Sequence, residues 1–311
     1  MNRFHLLVFF IFIALTGCKK ADEIEDPKDS SFSISENNSE LKGKINYAKG
    51  NENCGKLYVS AEVSTNDGRN SKVSFTLLTN GSLVSLSYGT KSTGINNSYI
   101  TPVHQPEKTF EITDFDYNKT LQTVSFNFKG EVAGYNNPNN KKLLNGSINI
   151  DSVSSLPCNS LIFEVRTVDP KFRFYSMASS NSATKYNDRD EYYDFKFSAS
   201  SNSGQWLVLN LEKNLSNYTQ KETILDKSRG LNYVDYYEYI GPLIYDDYLI
   251  FNQKDWIKYE TKGVMQDLHE TKGDMYQYSY YTGNILFSIY KDGKLVKENV
   301  VLPFAAAPMN L

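Results

Sequence analysis

Histidine and cysteine are scarce in this 311-residue chain, three of each, and tryptophan is rarer still, at two. His5 falls in an apolar leader, which leaves His104 and His269 and excludes a zinc site built on three imidazoles. His269-Glu270 begins like the helical zincin motif, but Gly273 stands where the second histidine belongs, and His269 reads as a surface residue. An excess of one charge is also missing. Lys+Arg 33 against Asp+Glu 36 leave a net charge of -3; with no basic field to gather phosphates, nucleic acid is not an expected partner. No Gly-rich phosphate loop and no dinucleotide fingerprint occurs, so no cofactor is expected. Gly89-Thr90-Lys91-Ser92-Thr93-Gly94 is one residue too long for a nucleophile elbow and falls at a strand end.

One apolar run stands out, Phe4 to Ala14, with Arg3 before it and Lys19-Lys20 after it. It is shorter than the roughly 20 residues that cross a bilayer and reads as a cleaved signal over residues 1–17. The run closes in Leu15-Thr16-Gly17-Cys18, which resembles the lipobox of bacterial lipoprotein precursors. The resemblance implies cleavage before Cys18 and acylation of its thiol and new amino group by palmitate-type chains. Each buried methylene adds about 0.8 kcal/mol of membrane affinity, so three chains hold a protein on a bilayer where one does so marginally. Residues 18–40 are rich in charge and nearly empty of large apolar groups, and are expected to form a disordered tether with a span of roughly 25 Å. The acidic cluster Asp22-Glu23-Ile24-Glu25-Asp26 is similar to the export signal of surface-exposed lipoproteins in the Bacteroidota. The expected address is therefore the outer membrane of the cell envelope, surface-exposed or periplasm-facing.

The rest of the chain reads as all-β. Aromatic residues make up 14%, with 23 tyrosines and 18 phenylalanines, the side chains that pleated, half-buried surfaces favour. Leu57 to Ser64 alternates apolar and polar positions, and Val73, Phe75 and Leu77 repeat the period of two. Asn80-Gly81 and Asp292-Gly293 supply the positive φ of tight hairpin turns. Leu215 to Gly230 lacks the alternation and reads as a short helix or a long loop. Pro157-Cys158-Asn159-Ser160 breaks the pattern and marks the boundary between two domains, 41–157 and 158–311, each an antiparallel β-sandwich or open barrel. The stretch 107–151, with Ile112-Thr113-Asp114-Phe115-Asp116, Asn118-Lys119-Thr120-Leu121 and Leu144-Asn145-Gly146-Ser147, resembles a small β-module of uncharacterised Bacteroidota lipoproteins, which implies a fold and an address but no catalytic residues. With Cys18 acylated, Cys54 and Cys158 form an even pair in an oxidising compartment. A disulfide closing a loop of about 100 residues, worth up to roughly 4.7 kcal/mol in the chain-entropy model, stands against two separately buried thiols.

Catalytic candidates reduce to carboxylates. Asp188, Asp190, Glu191 and Asp194, or Asp235, Glu238, Asp246 and Asp247, supply the residue types of a glycosidase pair. The loop from Asn187 to Asp194 lacks the glycine and spacing of a calcium-binding EF-hand, and no metal is expected. Asp151-Ser152-Val153 matches the three-residue O-glycosylation acceptor of exported Bacteroidota proteins. More prominent is the aromatic crowd between Tyr233 and Tyr281, from which Tyr236, Tyr237, Trp256, Tyr259 and Tyr281 are the expected ligand or partner contacts. Such rings offer a broad apolar plane and a polar tip to sugars and peptides, although alternating tyrosines also pack a sheet face through cross-strand pairs. The expected function is a non-catalytic, lipid-anchored binding or accessory subunit for glycan, peptide or a membrane-protein partner, with a lipid-anchored glycosidase as the alternative. Replacing Cys18 with serine is expected to release the protein from the membrane fraction of lysed cells; retention of the variant there would contradict acyl anchoring.

Overall fold

The computed structural model describes residues 30–92, 95–135, 137–156, 161–167, 172–185, 192–246, 253–272 and 279–309. The expected signal, Cys18, the acidic cluster, Pro157 to Ser160 with Cys158, Asp188, Asp190, Glu191, Asp247, Tyr248, Tyr276 and Tyr278 lie outside them. The described residues are built from twenty strands in two sheets, antiparallel but for one short parallel pair, with no α-helix: an all-β protein in which one sheet is nearly closed into a barrel.

The first unit contains β1 (Ser31–Glu36), β2 (Ser39–Glu40), β3 (Gly43–Asn53), β4 (Lys56–Thr65), β5 (Asn70–Leu78), β6 (Leu83–Ser92), β7 (Ile95–Ile100), β8 (Phe110–Asn118), β9 (Thr123–Gly134), β10 (Asn137–Ile150) and β11 (Val153–Ser155). Their order is β11-β3-β4-β5-β6-β7-β9-β10-β1-β2, with β8 sharing an edge of β9. From β3 to β7 it is a meander, in which short turns join antiparallel neighbours. At Asn80-Gly81 the glycine takes φ 85, and Asn80 accepts the backbone N–H of Ser82 at 3.1 Å. A Cβ on Gly81 would lie 2.6 Å from the ring of Phe115, so space as well as φ demands glycine. Cys54-Gly55 makes a second turn of this kind, φ 51 and 73, between β3 and β4. Cys54 is disulfide-bonded.

Residues 31–40, expected to belong to the tether, are ordered instead as β1 and β2. Phe32, Ile34 and Glu36 point inward while Ser31, Ser33 and Ser35 alternate outward, and β1 pairs with β10 from Ser31↔Asn149 to Glu36↔Leu144. With only two apolar residues in six, the alternation is hidden in a polar composition. Inside, Phe75 packs against Phe126 and Phe128 with ring centroids 5.1 and 5.0 Å apart. Glu36 is buried beside Lys142 at 2.9 Å and Arg69 at 3.4 Å, and accepts the Tyr88 hydroxyl at 2.7 Å. Burial works to raise its pKa, but the Lys142 and Tyr88 hydrogen bonds and the two cations prevail, holding the carboxyl below the usual range.

The second unit contains β12 (Phe163–Thr167), β13 (Phe174–Lys185), β14 (Tyr192–Ser201), β15 (Gln205–Leu211), β16 (Thr223–Asp226), β17 (Tyr233–Tyr239), β18 (Trp256–Thr271), β19 (Tyr280–Lys291) and β20 (Lys294–Ala306). The region 215–230 starts with a short 3-10 helix at Leu215–Tyr218, and where a loop was the alternative it goes on to a strand, β16, which lies against β18. Pairings run β12-β13-β14-β15-β17-β18-β19-β20, and Phe163↔Ala306, Glu164↔Ala305 and Val165↔Phe304 return β20 to β12. Eight strands thus form a ring with an interior that side chains fill. Phe163, Phe174, Phe197, Leu207, Leu209, Ile285 and Leu302 occupy it.

Glu36→Gln is expected to lower stability by about 1–3 kcal/mol, since it leaves two cations without their carboxylate. Because the folded pKa of Glu36 lies below its unfolded value, its contribution is complete above about pH 4.5 and fades as pH falls through the folded value. Chemical-denaturation curves of both proteins between pH 3 and 7 check this: the gap between them should shrink in acid.

Candidate functional site

Strand parity sorts the aromatic crowd. In β17, Val234, Tyr236 and Glu238 face the interior, while Tyr233, Asp235 and Tyr237 face out. Tyr236 is fully buried, its ring 5.7 Å from Phe172 and 6.0 Å from Phe287. Its hydroxyl donates to Glu238 at 2.8 Å, and burial, then the charge of Glu238, pushes its pKa far up. Tyr281, 9% exposed, also belongs to the core. Tyr236 and Tyr281 are therefore interior residues rather than surface contacts: each occupies the inward phase of its strand. Tyr259 is half-buried, its ring 5.9 Å from Tyr236, with its pKa pushed up to about 12 by burial and then by Glu238.

Tyr237 does face out. Its ring stacks on Trp206 at 4.8 Å and 25°, and Lys258 lies 5.3 Å from its centroid on the other side. Trp206, Tyr237 and Lys258 form one register row across β15, β17 and β18. Lys258 is held by Asp235 at 2.5 Å, and the Trp206 indole N–H donates to Ser198 at 2.6 Å. Trp206 lies outside 233–281, and its signal is the outward phase of Trp206 and Val208 against buried Leu207 and Leu209.

Trp256 has another task. Its indole meets Tyr239 at 5.3 Å, Trp206 at 6.3 Å and the ring of His104, from the first unit, at 5.3 Å. His104 lies 4.5 Å from Tyr239, is 5% exposed, and its Nδ1 is buried without a hydrogen-bond partner among the described residues. The segment around it is stitched to the second unit: Val103 N–H donates to Ile244 O at 2.8 Å and Gln105 N–H to Asn202 O at 2.6 Å. The Asn202 amide donates in turn to Leu83 O at 2.7 Å, and the Tyr175 hydroxyl to Cys54 O. Buried polar groups need such partners, so the two units are joined by a specific interface. Burial holds the His104 pKa below its ordinary value.

The structure gives three carboxylates of the glycosidase reading different partners. Asp235 points outward to Lys258, Glu238 inward to Tyr236, and Asp194 pairs with Lys196 at 2.9 Å. Their spacing of three in one strand puts Asp235 and Glu238 on opposite faces. No cluster of three or more His, Cys, Asp or Glu suited to a metal occurs among the described residues. His269, read as a surface residue, is exposed, yet it belongs to a second polar feature, a cleft of about 630 Å³ between the two units that also includes Glu52, Glu164 and Asp267. Comparison of the chain with protein-family models, curated proteins and solved structures finds no match.

Since the folded state keeps His104 neutral while the unfolded chain takes up a proton near pH 6.5, stability is expected to decline as pH falls from about 6.5 toward the lower folded pKa. His104→Phe, which retains a ring, should flatten that decline. Melting temperatures from pH 8 to 5 check it, and an equal decline in both proteins would refute it.

Proposed function

We propose that this protein is a lipid-anchored binding protein of the bacterial outer membrane, with Cys18 as its anchor and the outer wall of the second unit as its contact surface. The observation that carries the reading is the outward row Trp206–Tyr237–Lys258. A stacked indole and phenol offer an apolar plane, while the ammonium and Asp235 beside them supply polar contacts. That combination suits the C–H face of a sugar ring or an aromatic side chain of a peptide. Its position on a pleated wall, with rings fixed by cross-strand stacking, limits the entropy lost on binding. Cys54 and Cys158 are proposed to pair, tying the β3–β4 turn to the segment between the units.

Trp206→Ala with Tyr237→Ala is expected to reduce recovery of bound glycan or protein from envelope extracts at least tenfold. The melting temperature should stay close to that of the parent, because neither ring belongs to the core. Trp256→Ala is the contrasting variant: it removes a ring from the junction with His104 and should lower stability. Undiminished recovery with the double variant would sink the reading.

A further inference from the structure

The cleft between the two units is built from both. Its floor is the outer wall of the second: Glu164, Ala305, Thr282 and His269 stand in one register row across β12, β20, β19 and β18. Pro303, Asn284 and Asp267 flank that row. The facing wall carries Leu156, the Cys54-Gly55 turn and the Glu52–Lys119 ion pair of the first unit, and Leu161 lies between the units. At about 630 Å³ it falls within the range of small-molecule sites, which favour junctions between domains.

Its polar edge is ordered by a directional chain of hydrogen bonds. The Asp267 carbonyl accepts from Nδ1 of His269 at 2.8 Å, so Nε2 is left to accept the Thr282 hydroxyl at 3.0 Å, and Thr282 Oγ1 lies 3.1 Å from Thr271 Oγ1. Asp267 sits in a β-bulge with φ 55, which sets its carboxylate beside Asn284, whose Nδ2 donates to Oδ2 at 3.2 Å. Asp267 Oδ1, the Asn284 carbonyl and the second amide hydrogen of Asn284 have no protein partner among the described residues. Two acceptors and a donor are thus presented side by side. Pro303 and Ala305 lie beside them on the floor, and Leu156 and Leu161 add apolar surface to the cleft. Glu52 is neutralised by Lys119 at 3.1 Å, and Asp267 carries the negative charge of the polar edge.

We infer that the cleft is a saccharide site: vicinal hydroxyls of a neutral sugar hydrogen-bond to Asp267 and Asn284, and its C–H face lies on Pro303 and Ala305 beneath the two leucines. Adjacent hydroxyls match an acceptor pair with one donor, and a pyranose has an apolar face next to a polar rim. Phosphates and uronates meet the charge of Asp267 and are disfavoured. The inference rests on the reading of the chain as a binding protein but uses a surface separate from the Trp206–Tyr237 row. With one wall from each unit, an occupied cleft also braces the junction.

The test is saturation-transfer NMR on the purified full-length mature protein with neutral disaccharides of glucose, mannose, xylose and N-acetylglucosamine, and with a galacturonate disaccharide. At least one neutral disaccharide is expected to bind in preference to the galacturonate. Asp267→Asn and Asn284→Ala should each weaken it about tenfold, and Leu156→Lys should weaken it from the opposite wall. Asparagine tolerates the left-handed backbone, so the bulge survives Asp267→Asn, and melting curves confirm that each variant is folded. Failure of every neutral disaccharide to bind, or preference for the galacturonate, overturns the inference. Binding that Trp206→Ala abolishes and Asp267→Asn spares also overturns it, while leaving the aromatic row as the site and the binding reading intact.

Discussion

The second unit depends on one pairing, that of its first strand with its last. An antiparallel meander has two unpaired edges, and edges carry rows of unsatisfied N–H and C=O groups. Here Phe163 to Val165 meet Phe304 to Ala306, and the row of edges becomes a ring. A ring gives each strand a fixed inside and outside. Alternate side chains then fill an apolar interior, and the others are displayed on the wall without loss of backbone hydrogen bonds. Both proposed surfaces lie on that outer wall, held by strands rather than by loops.

The first unit reaches a similar form with a different seam. β1 and β3 approach one another without sharing a ladder, and β11 lies parallel to the end of β3. Glu36, at the end of β1, gathers Lys142, Arg69 and Tyr88 from three other parts of the chain. A buried carboxylate needs such partners, and those partners draw β1 into the unit. At the other side of this unit, the residues around His104 satisfy their backbone groups on the second unit, which converts a tandem pair into a joined one. The cleft between the units is lined by residues of both.

Much of the fold is legible locally. Asn80-Gly81 and Asp292-Gly293 form their hairpins because few other dipeptides adopt two adjacent positive φ values or supply a glycine at the second. The alternation in Leu57 to Ser64 marks β4 because every second side chain is apolar. Where composition hides the period, reading fails: Ser31 to Glu36 looks like tether, and Thr223 to Asp226 looks like loop. The candidate site was legible only in part. Tyr237 and Trp256 belong to the outer wall and the junction, whereas Tyr236 and Tyr281 are core, a distinction that turns on parity within strands whose starting points composition does not give. Trp206 and the Asp267–Asn284 pair went unnoticed because their partners are distant in sequence.

The amino-acid sequence by itself determined the β class, the hairpin turns and the absence of a histidine-rich metal site, since each follows from local steric preference or from inventory. Tertiary structure decided which face each tyrosine occupies, that Asp235 and Glu238 diverge, and that His104 is sealed between two units. Those outcomes depend on register and on contacts between residues far apart in the chain, and a shift of one residue in a strand reverses every face. Local chemistry names the side chains; only long-range pairing sets what each one touches.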